Sequence, residues 1–463
     1  MAGHVKITSL VSILVALVIL AVGCRPAKPN KNLIDSTDIQ ITLEITSAET
    51  LRVTYMTGPP SEELFFNRTP DKQRQERWVA VNENIIIENR NGIDVIKHIN
   101  GEKFTTVSFE VPMTYTHLPK DYAPFMPYRE NGMLIHSGRF QTCLSVCDSD
   151  EAQEVFPMSL LVPKAERVIL FGEVLNKTTS WIDKNDGTMI YVGRGDSIET
   201  DFVISIVDPF LPDDVHKPLN DLFPDLMAYF ANRLSGLEQK PMLFASLDRY
   251  AKPDGNPLSN NFSSQGGVLP GQVFMHFSGD AWFENEDIRG PETTGFLLWF
   301  FAHEAGHLYQ RGADYFPTDS DAWIHEGGAD AFAAIALAEL KSISPAYITR
   351  RKQEAIELCL KGLEAGPLEG AAKRGDFDLL YKCGMVIQLA IDKAVRDKSK
   401  GQSDLFDIWA LFLEEVKEGK PWSQKTFLEL VETHVNKDTH DFAISIITAE
   451  THLSTERLKA AID

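Results

Sequence analysis

The sequence predicts an α+β fold, with a β-sandwich-like N-terminal domain followed by a mainly helical one. From Asp38 to about Asp214, short runs alternate apolar and polar residues between turn residues, the period of strands with one buried face. Beyond Asp214 the apolar residues fall three and four apart, the period of helices. From Thr293 onward no strand-like run interrupts that pattern.

Met1 to Cys24 carry Lys6, an apolar stretch from Leu10 to Val22 and no acidic residue, the composition of an export signal. The stretch closes on Ala21-Val22-Gly23-Cys24. That tetrapeptide resembles the lipobox of bacterial lipoproteins, with Ala21 where Leu is usual. The resemblance implies a lipoprotein signal peptide over 1–24, lipidation of Cys24 and a lipid anchor holding the chain to a membrane of the cell envelope. An uncleaved anchor helix or a plain signal peptide is the bland alternative. Residues 25–37 begin Arg25-Pro26-Ala27-Lys28-Pro29, have nothing to bury and read as a tether. No later apolar run approaches the ~20 residues that span a bilayer.

Residues 38–214 read as a β-rich domain. Ile39, Ile41, Leu43 and Ile45 alternate with Gln40, Thr42 and Glu44, and Leu51, Val53 and Tyr55 repeat the pattern. Further strands are expected over 107–111, 167–174 and 202–207. Asn91-Gly92 and Asp186-Gly187 lie between apolar runs and read as hairpin turns, because Gly readily takes the positive φ such turns require. Residues 113–155 are less regular and read as an elaborated loop region. In 215–343, Leu222, Leu226, Tyr229, Phe230 and Leu234 have helical spacing, with Pro224 in a first turn. Strand-like runs follow at 242–247 and 273–277. Helices are expected to start near Thr293, Ser320, Ser403 and Ser423, with a stop at Gly419. Residues 344–463 form a C-terminal helical subdomain.

The formal net charge of -21 speaks against a nucleic-acid binder, whose affinity for phosphate comes from clustered Lys and Arg. With Cys24 set aside, Cys143, Cys147, Cys359 and Cys383 remain. An exported compartment permits disulfides; Cys143 with Cys147 and Cys359 with Cys383 are candidate pairs, and four buried thiols fit equally well.

The informative stretch is Phe300-Phe301-Ala302-His303-Glu304-Ala305-Gly306-His307-Leu308. A spacing of four puts His303 and His307 on one helix face, one turn apart, so both imidazoles can reach one ion. Glu304 adjoins the first of them, where a base is wanted. Downstream lies Trp323-Ile324-His325-Glu326-Gly327-Gly328-Ala329-Asp330, with eighteen residues between His307 and Glu326. Open catalytic zinc sites take three protein ligands and keep a fourth position free.

Together the two segments resemble the gluzincin zinc metallopeptidases, in particular the aminopeptidase N and glycyl aminopeptidase families with their W-x-x-E-G segment. The resemblance implies a thermolysin-like zinc peptidase domain over 215–343, with His303, His307 and Glu326 as ligands of Zn2+ and Glu304 as catalytic base. It implies that Asp330, four residues past Glu326, orients a zinc-binding His. Leu380-Tyr381-Lys382-Cys383-Gly384 resembles the Y-x-K-G segment of the same families, whose Tyr donates a hydrogen bond to the oxyanion. Here Cys383 stands where those families have Lys, and a Lys stands one place earlier.

Gly266-Gly267-Val268-Leu269 is similar to the G-G-L-E-like strand that borders the cleft in these aminopeptidases, whose Glu holds the substrate's free amine. Gly266 and Gly267 are therefore substrate-strand candidates, and Leu269 takes the place of the Glu. That departure puts exopeptidase action in doubt, unless Glu284 or Glu286 supplies a carboxylate, and leaves the zinc chemistry untouched. His276, in an apolar strand, reads as a core histidine. His325 reads as pointing to another side of its helix than Glu326, behind the ligands or at the surface.

The expected activity is hydrolysis of a peptide or protein substrate by a metal-activated water with Glu304 as general base. A catalytically retired lipoprotein of the same fold, binding peptides or a partner protein, is the alternative motivated by Leu269 and Cys383. A structural zinc site is a third reading, disfavoured because such sites are four-coordinate and Cys-rich and have no use for Glu304. The sequence leaves the oligomeric state open.

Overall fold

The computed structural model describes residues 39–463 except 71, 119–120, 130–131, 148–154, 164–165, 176–177, 185, 249–262, 280–281, 283–289, 311–319, 450–452 and 463. Cys24, the tether, Glu284 and Glu286 lie outside the described residues.

The alternating runs bury Ile39, Ile41, Leu43, Leu51, Val53 and Tyr55 in a six-stranded sheet. Its order is Thr179–Lys184, Val155–Leu161, Ile39–Ile45, Thr50–Ser61, Phe104–Pro112, Val79–Ala80. A four-stranded sheet (Thr142–Cys143, Glu63–Phe66, Ile93–His98, Ile85–Arg90) and a five-stranded one (Glu173–Leu175, Arg167–Leu170, Met189–Gly193, Gly132–His136, Phe125–Tyr128) complete the N-terminal half. Three sheets thus replace the expected two-sheet sandwich.

The five-stranded sheet is the middle layer of the molecule. Met133, Ile135, Val168, Leu170, Ile190 and Val192 join the N-terminal core on one face. Leu134, Ile169, Met189 and Tyr191 meet the sheet of the C-terminal half on the other. A strand buried on both faces has no polar side to alternate with. For that reason 113–155, read as a loop region, contains Phe125–Tyr128, Gly132–His136 and Thr142–Cys143. The two expected hairpin turns also part company. Asn91-Gly92 closes a hairpin at φ +54° and +87°. Asp186-Gly187 instead carries the chain between sheets, since Thr179–Lys184 and Met189–Gly193 belong to different ones. The 167–174 run is broken by a turn at Phe171 and Gly172, both at positive φ.

A fourth sheet comprises β1 (Ile198–Glu199), β2 (Ile204–Val207), β3 (Met242–Asp248), β4 (Ser263–Leu269) and β5 (Gln272–Ser278), in the order β1-β2-β3-β5-β4, so that β4 is an edge. Although β1 and β2 precede residue 214, β2 pairs with β3. Asp214 marks a change of period, where a helix begins, and not a change of layer; Asp38–Asp463 form one compact unit.

The helices α1 (Asp213–Leu234) and α2 (Pro291–Tyr309) pack on the other face of this sheet, and α3 (Ala322–Glu339), α4 (Pro345–Leu363), α5 (Phe377–Ser399), α6 (Leu405–Lys417) and α7 (Gln424–Leu430) join them in one core. α1 begins before its expected first turn, so Pro218 and Pro224 lie inside it. Burial of Leu219, Leu222, Phe223, Leu226 and Phe230 offsets the hydrogen bonds those prolines remove. Asp404, rather than Ser403, caps α6 in a capping box with Asp407. No described helix is long and apolar enough to cross a membrane.

Candidate active site

Two glycines bring α3 and α5 together. A Cβ on Gly327 would overlap the backbone of Gly384, and one on Gly384 would stand 2.5 Å from the Trp323 carbonyl. The helices therefore cross backbone to backbone, and Glu326 and Tyr381, near the crossing, hydrogen bond to each other. A disulfide between Cys359 and Cys383 ties α5 to α4 beside Tyr381, and Cys143 pairs with Cys147 in the N-terminal half.

α2 carries His303 and His307 on its buried side. Their Nε2 atoms lie 3.0 Å apart, and Oε2 of Glu326 lies 3.4 Å from the first and 3.3 Å from the second. Ligand atoms bonded at 2.0–2.1 Å to a tetrahedral ion are about 3.3 Å from one another. The donor set and its spacing therefore fit Zn2+, and among the described residues this is the group of His, Cys, Asp and Glu side chains with metal-site spacing.

The ligands are held from behind. His303 donates Nδ1–H to Asp330 Oδ1 at 3.0 Å, and Trp299 donates to the same oxygen at 2.8 Å. The Lys382 ammonium lies 3.6 Å from the other Asp330 oxygen, so the Lys displaced by one place in the Y-x-K-G-like segment has an ionic partner in the site. Burial works against a charged His303, but hydrogen bonds to Asp330 and Glu326 outweigh it and push its pKa up to about 10. Burial would likewise raise Glu326, yet hydrogen bonds from His303, His307 and His325 hold it far below the carboxylate range. The carboxylates around His303 make the pocket electrostatically suited to positive charge.

On the other side, His307 donates Nδ1–H to Gln310 Oε1 at 2.8 Å. The His325 ring stacks on His307 at 3.8 Å between centroids, and its Nδ1 is 3.4 Å from Glu326 Oε1. His325 thus touches two ligands instead of facing solvent. His276 is fully buried, with Nδ1 2.8 Å from the Ser246 hydroxyl.

Tyr381 stacks on His303 at 5.7 Å. Burial, then the Glu326 carboxylate, raises its pKa, so the phenol stays a neutral donor. From the N-terminal half, Tyr122 reaches the open edge of β4: its hydroxyl is 3.5 Å from the Val268 carbonyl and fills the space a Cβ on Gly267 would need. Burial, then the charge of Glu304, pushes Tyr122 up to about 12. Gly266 faces the backbone of Phe274 and Met275. Leu269 is buried among Met242, Phe244 and Phe274, while Val268 packs on the helical side. Tyr122 and Gln310 were not foreseen; no local spacing marks either.

The fold and site define a chain in which sheets precede a helical half carrying paired His, an adjacent Glu and a third carboxylate. No protein-family model matches the sequence, and neither does any curated protein. Among solved structures the chain is similar to an aminopeptidase N family protein from Idiomarina loihiensis, with TM-score 0.63 at 10% identity over 91% of this chain and 78% of that one. Similarity also reaches an M1 zinc metallopeptidase from Deinococcus radiodurans (TM-score 0.43, 14% identity, 90% and 95% covered). Yeast LTA4 hydrolase gives TM-score 0.46 at 10% identity, with 93% and 71% covered. The likeness to the Idiomarina protein is one of fold, sheets first and helices after.

Proposed function

We propose that this chain is a zinc-dependent peptidase of the gluzincin kind. The observation that carries the proposal is the triangle of His303, His307 and Glu326 donor atoms, with edges of 3.0 to 3.4 Å, backed by Asp330. When bound there, zinc supplies Lewis-acid chemistry that polarises a carbonyl and makes water nucleophilic near neutral pH.

The chain's own groups supply the rest. Glu304 adjoins His303 and takes the proton of the attacking water, then passes it to the leaving amine. Tyr381 donates its phenolic proton in a hydrogen bond to the oxyanion that develops on the scissile carbonyl. Asp330 fixes His303 with its proton on Nδ1, which leaves Nε2 free as a ligand atom. The edge strand β4 and Tyr122 border the path of a peptide.

Turnover of a mixed peptide library with and without chelator tests this reading. Cleavage that stops with chelator and returns with added zinc is the expected result. A zinc-loaded protein that binds peptides and cleaves none supports the retired relative instead.

A further inference from the structure

The two histidines of the site have orienting partners of different charge. His303 has a carboxylate, Asp330; His307 has a neutral carboxamide, Gln310, at 2.8 Å. Gln310 is fully buried and makes two further bonds. Its Nε2–H donates to the backbone carbonyl of His325 at 3.1 Å, and the residue's backbone carbonyl accepts from Trp422 Nε1 at 3.1 Å. One amide therefore links the end of α2 to α3, one residue before Glu326.

The fold makes room for that amide. A Cβ on Gly328 would lie 2.6 Å from Gln310 Nε2 and 2.6 Å from the Trp409 ring. Gly327 and Gly328 thus do different jobs: the first admits α5, the second admits Gln310. The His325 ring, stacked on His307 and 3.4 Å from Glu326 Oε1, belongs to the same cluster.

We propose that Gln310 is the positioning residue that couples His307 to Glu326, so that the two ligands are set as a pair. The argument is geometric. An imidazole free to turn about its side-chain bonds loses the alignment of Nε2 on the ion, and an acceptor at Nδ1 removes that freedom. Because the same amide donates to the carbonyl just before Glu326, it also fixes the distance between the helices that carry the two ligands. The amide keeps its acceptor and donor ends distinct, which a hydrocarbon of equal length does not.

This inference rests on the zinc reading above. The test is the zinc dissociation constant of the full-length protein by chelator competition, with the melting temperature of the metal-free form measured alongside. Gln310→Leu is expected to weaken zinc about 10- to 100-fold, the range for loss of an orienting partner, while Gln310→Glu, which keeps the acceptor for His307 but loses the donor to the His325 carbonyl, is expected to weaken it by less than Gln310→Leu but by more than about twofold. Gly328→Ala, which pushes on the amide without touching a ligand, is expected to weaken zinc in the same direction. If Gln310→Leu binds zinc within about twofold of the wild type, or Gln310→Glu does, so that the donor end contributes nothing to the pair, the coupling role is overturned. A merely structural role lowers the melting temperature of the metal-free protein and leaves the dissociation constant unchanged, which also overturns it. Failure of the wild type itself to bind zinc strikes the reading of the site, and is seen before any variant is compared.

Discussion

His303, His307 and Glu326 each turn one donor atom to a common point, and each is held from behind by a different neighbour. Truncating one leaves two ligands and an unpaired partner, so His307→Ala and Glu326→Ala are expected to lose the zinc that metal analysis finds in the purified wild type. Near-full occupancy in either variant contradicts the ligand set. The convergence of His303, His307 and Glu326, with Asp330 behind His303, was readable in the sequence because helical periodicity converts spacing directly into geometry. His325 shows where that conversion stops short: spacing left the ring either behind the metal-site residues or at the surface, and the structure has it behind them. One residue is a step of about 100° around a helix, which should turn it away from Glu326, yet its ring returns over His307 because α2 passes on that side. Gln310 and Tyr122 owe their contacts to tertiary approach, which no local spacing encodes.

Among the elements, strands with one wet face were readable by their period, and the buried Met242–Asp248 and Gln272–Ser278 by their apolar runs, whereas Gly132–His136 was not. Gly132–His136 is buried at all five positions, so it offers no period to read. The edge strand and the helix crossing depend on glycines whose purpose appears only when a neighbour is in place: Gly267 beneath Tyr122, Gly327 against Gly384. The buried histidines of the sheets bear on acid stability. Burial lowers the pKa of His276 on β5 from 6.5 to about 3. As pH falls through 6.5 the unfolded chain takes up a proton that the folded chain refuses until about 3, so stability is lost over that window. His136, also lowered to about 3, acts in the same direction. His276→Gln is therefore expected to show a shallower fall of melting temperature between about pH 6.5 and 4 than the wild type. Equal slopes would show that His276 does not carry this linkage.

At the scale of the whole molecule, the sheets of the N-terminal half stand behind the sheet that carries the helices, and Tyr122, just before the middle-sheet strand Phe125–Tyr128, reaches β4 from that half. That arrangement bears on which end of a substrate is recognised. Neither Val268 nor Leu269 is acidic, Leu269 is turned into the core, and Tyr122 occupies the open edge of β4. A free amine entering the site loses water at a cost of several kcal/mol and gains no carboxylate from the strand. Acetylating the amino terminus of a good peptide substrate is accordingly expected to lower kcat/KM by less than about tenfold; a loss of about a hundredfold would reveal an amine anchor elsewhere in the molecule. The claim on which all of this depends is that Glu304 moves the proton in peptide-bond hydrolysis while three other side chains hold the metal. The measurement that reaches it most directly is cleavage of one peptide library by the wild type and by Glu304→Gln, both shown by metal analysis to be fully zinc-loaded. The expected result is equal zinc and a rate lower by about 100- to 10,000-fold in the variant. A Glu304→Gln protein that cleaves within about twofold of the wild type, or a fully loaded wild type that cleaves nothing, contradicts the account.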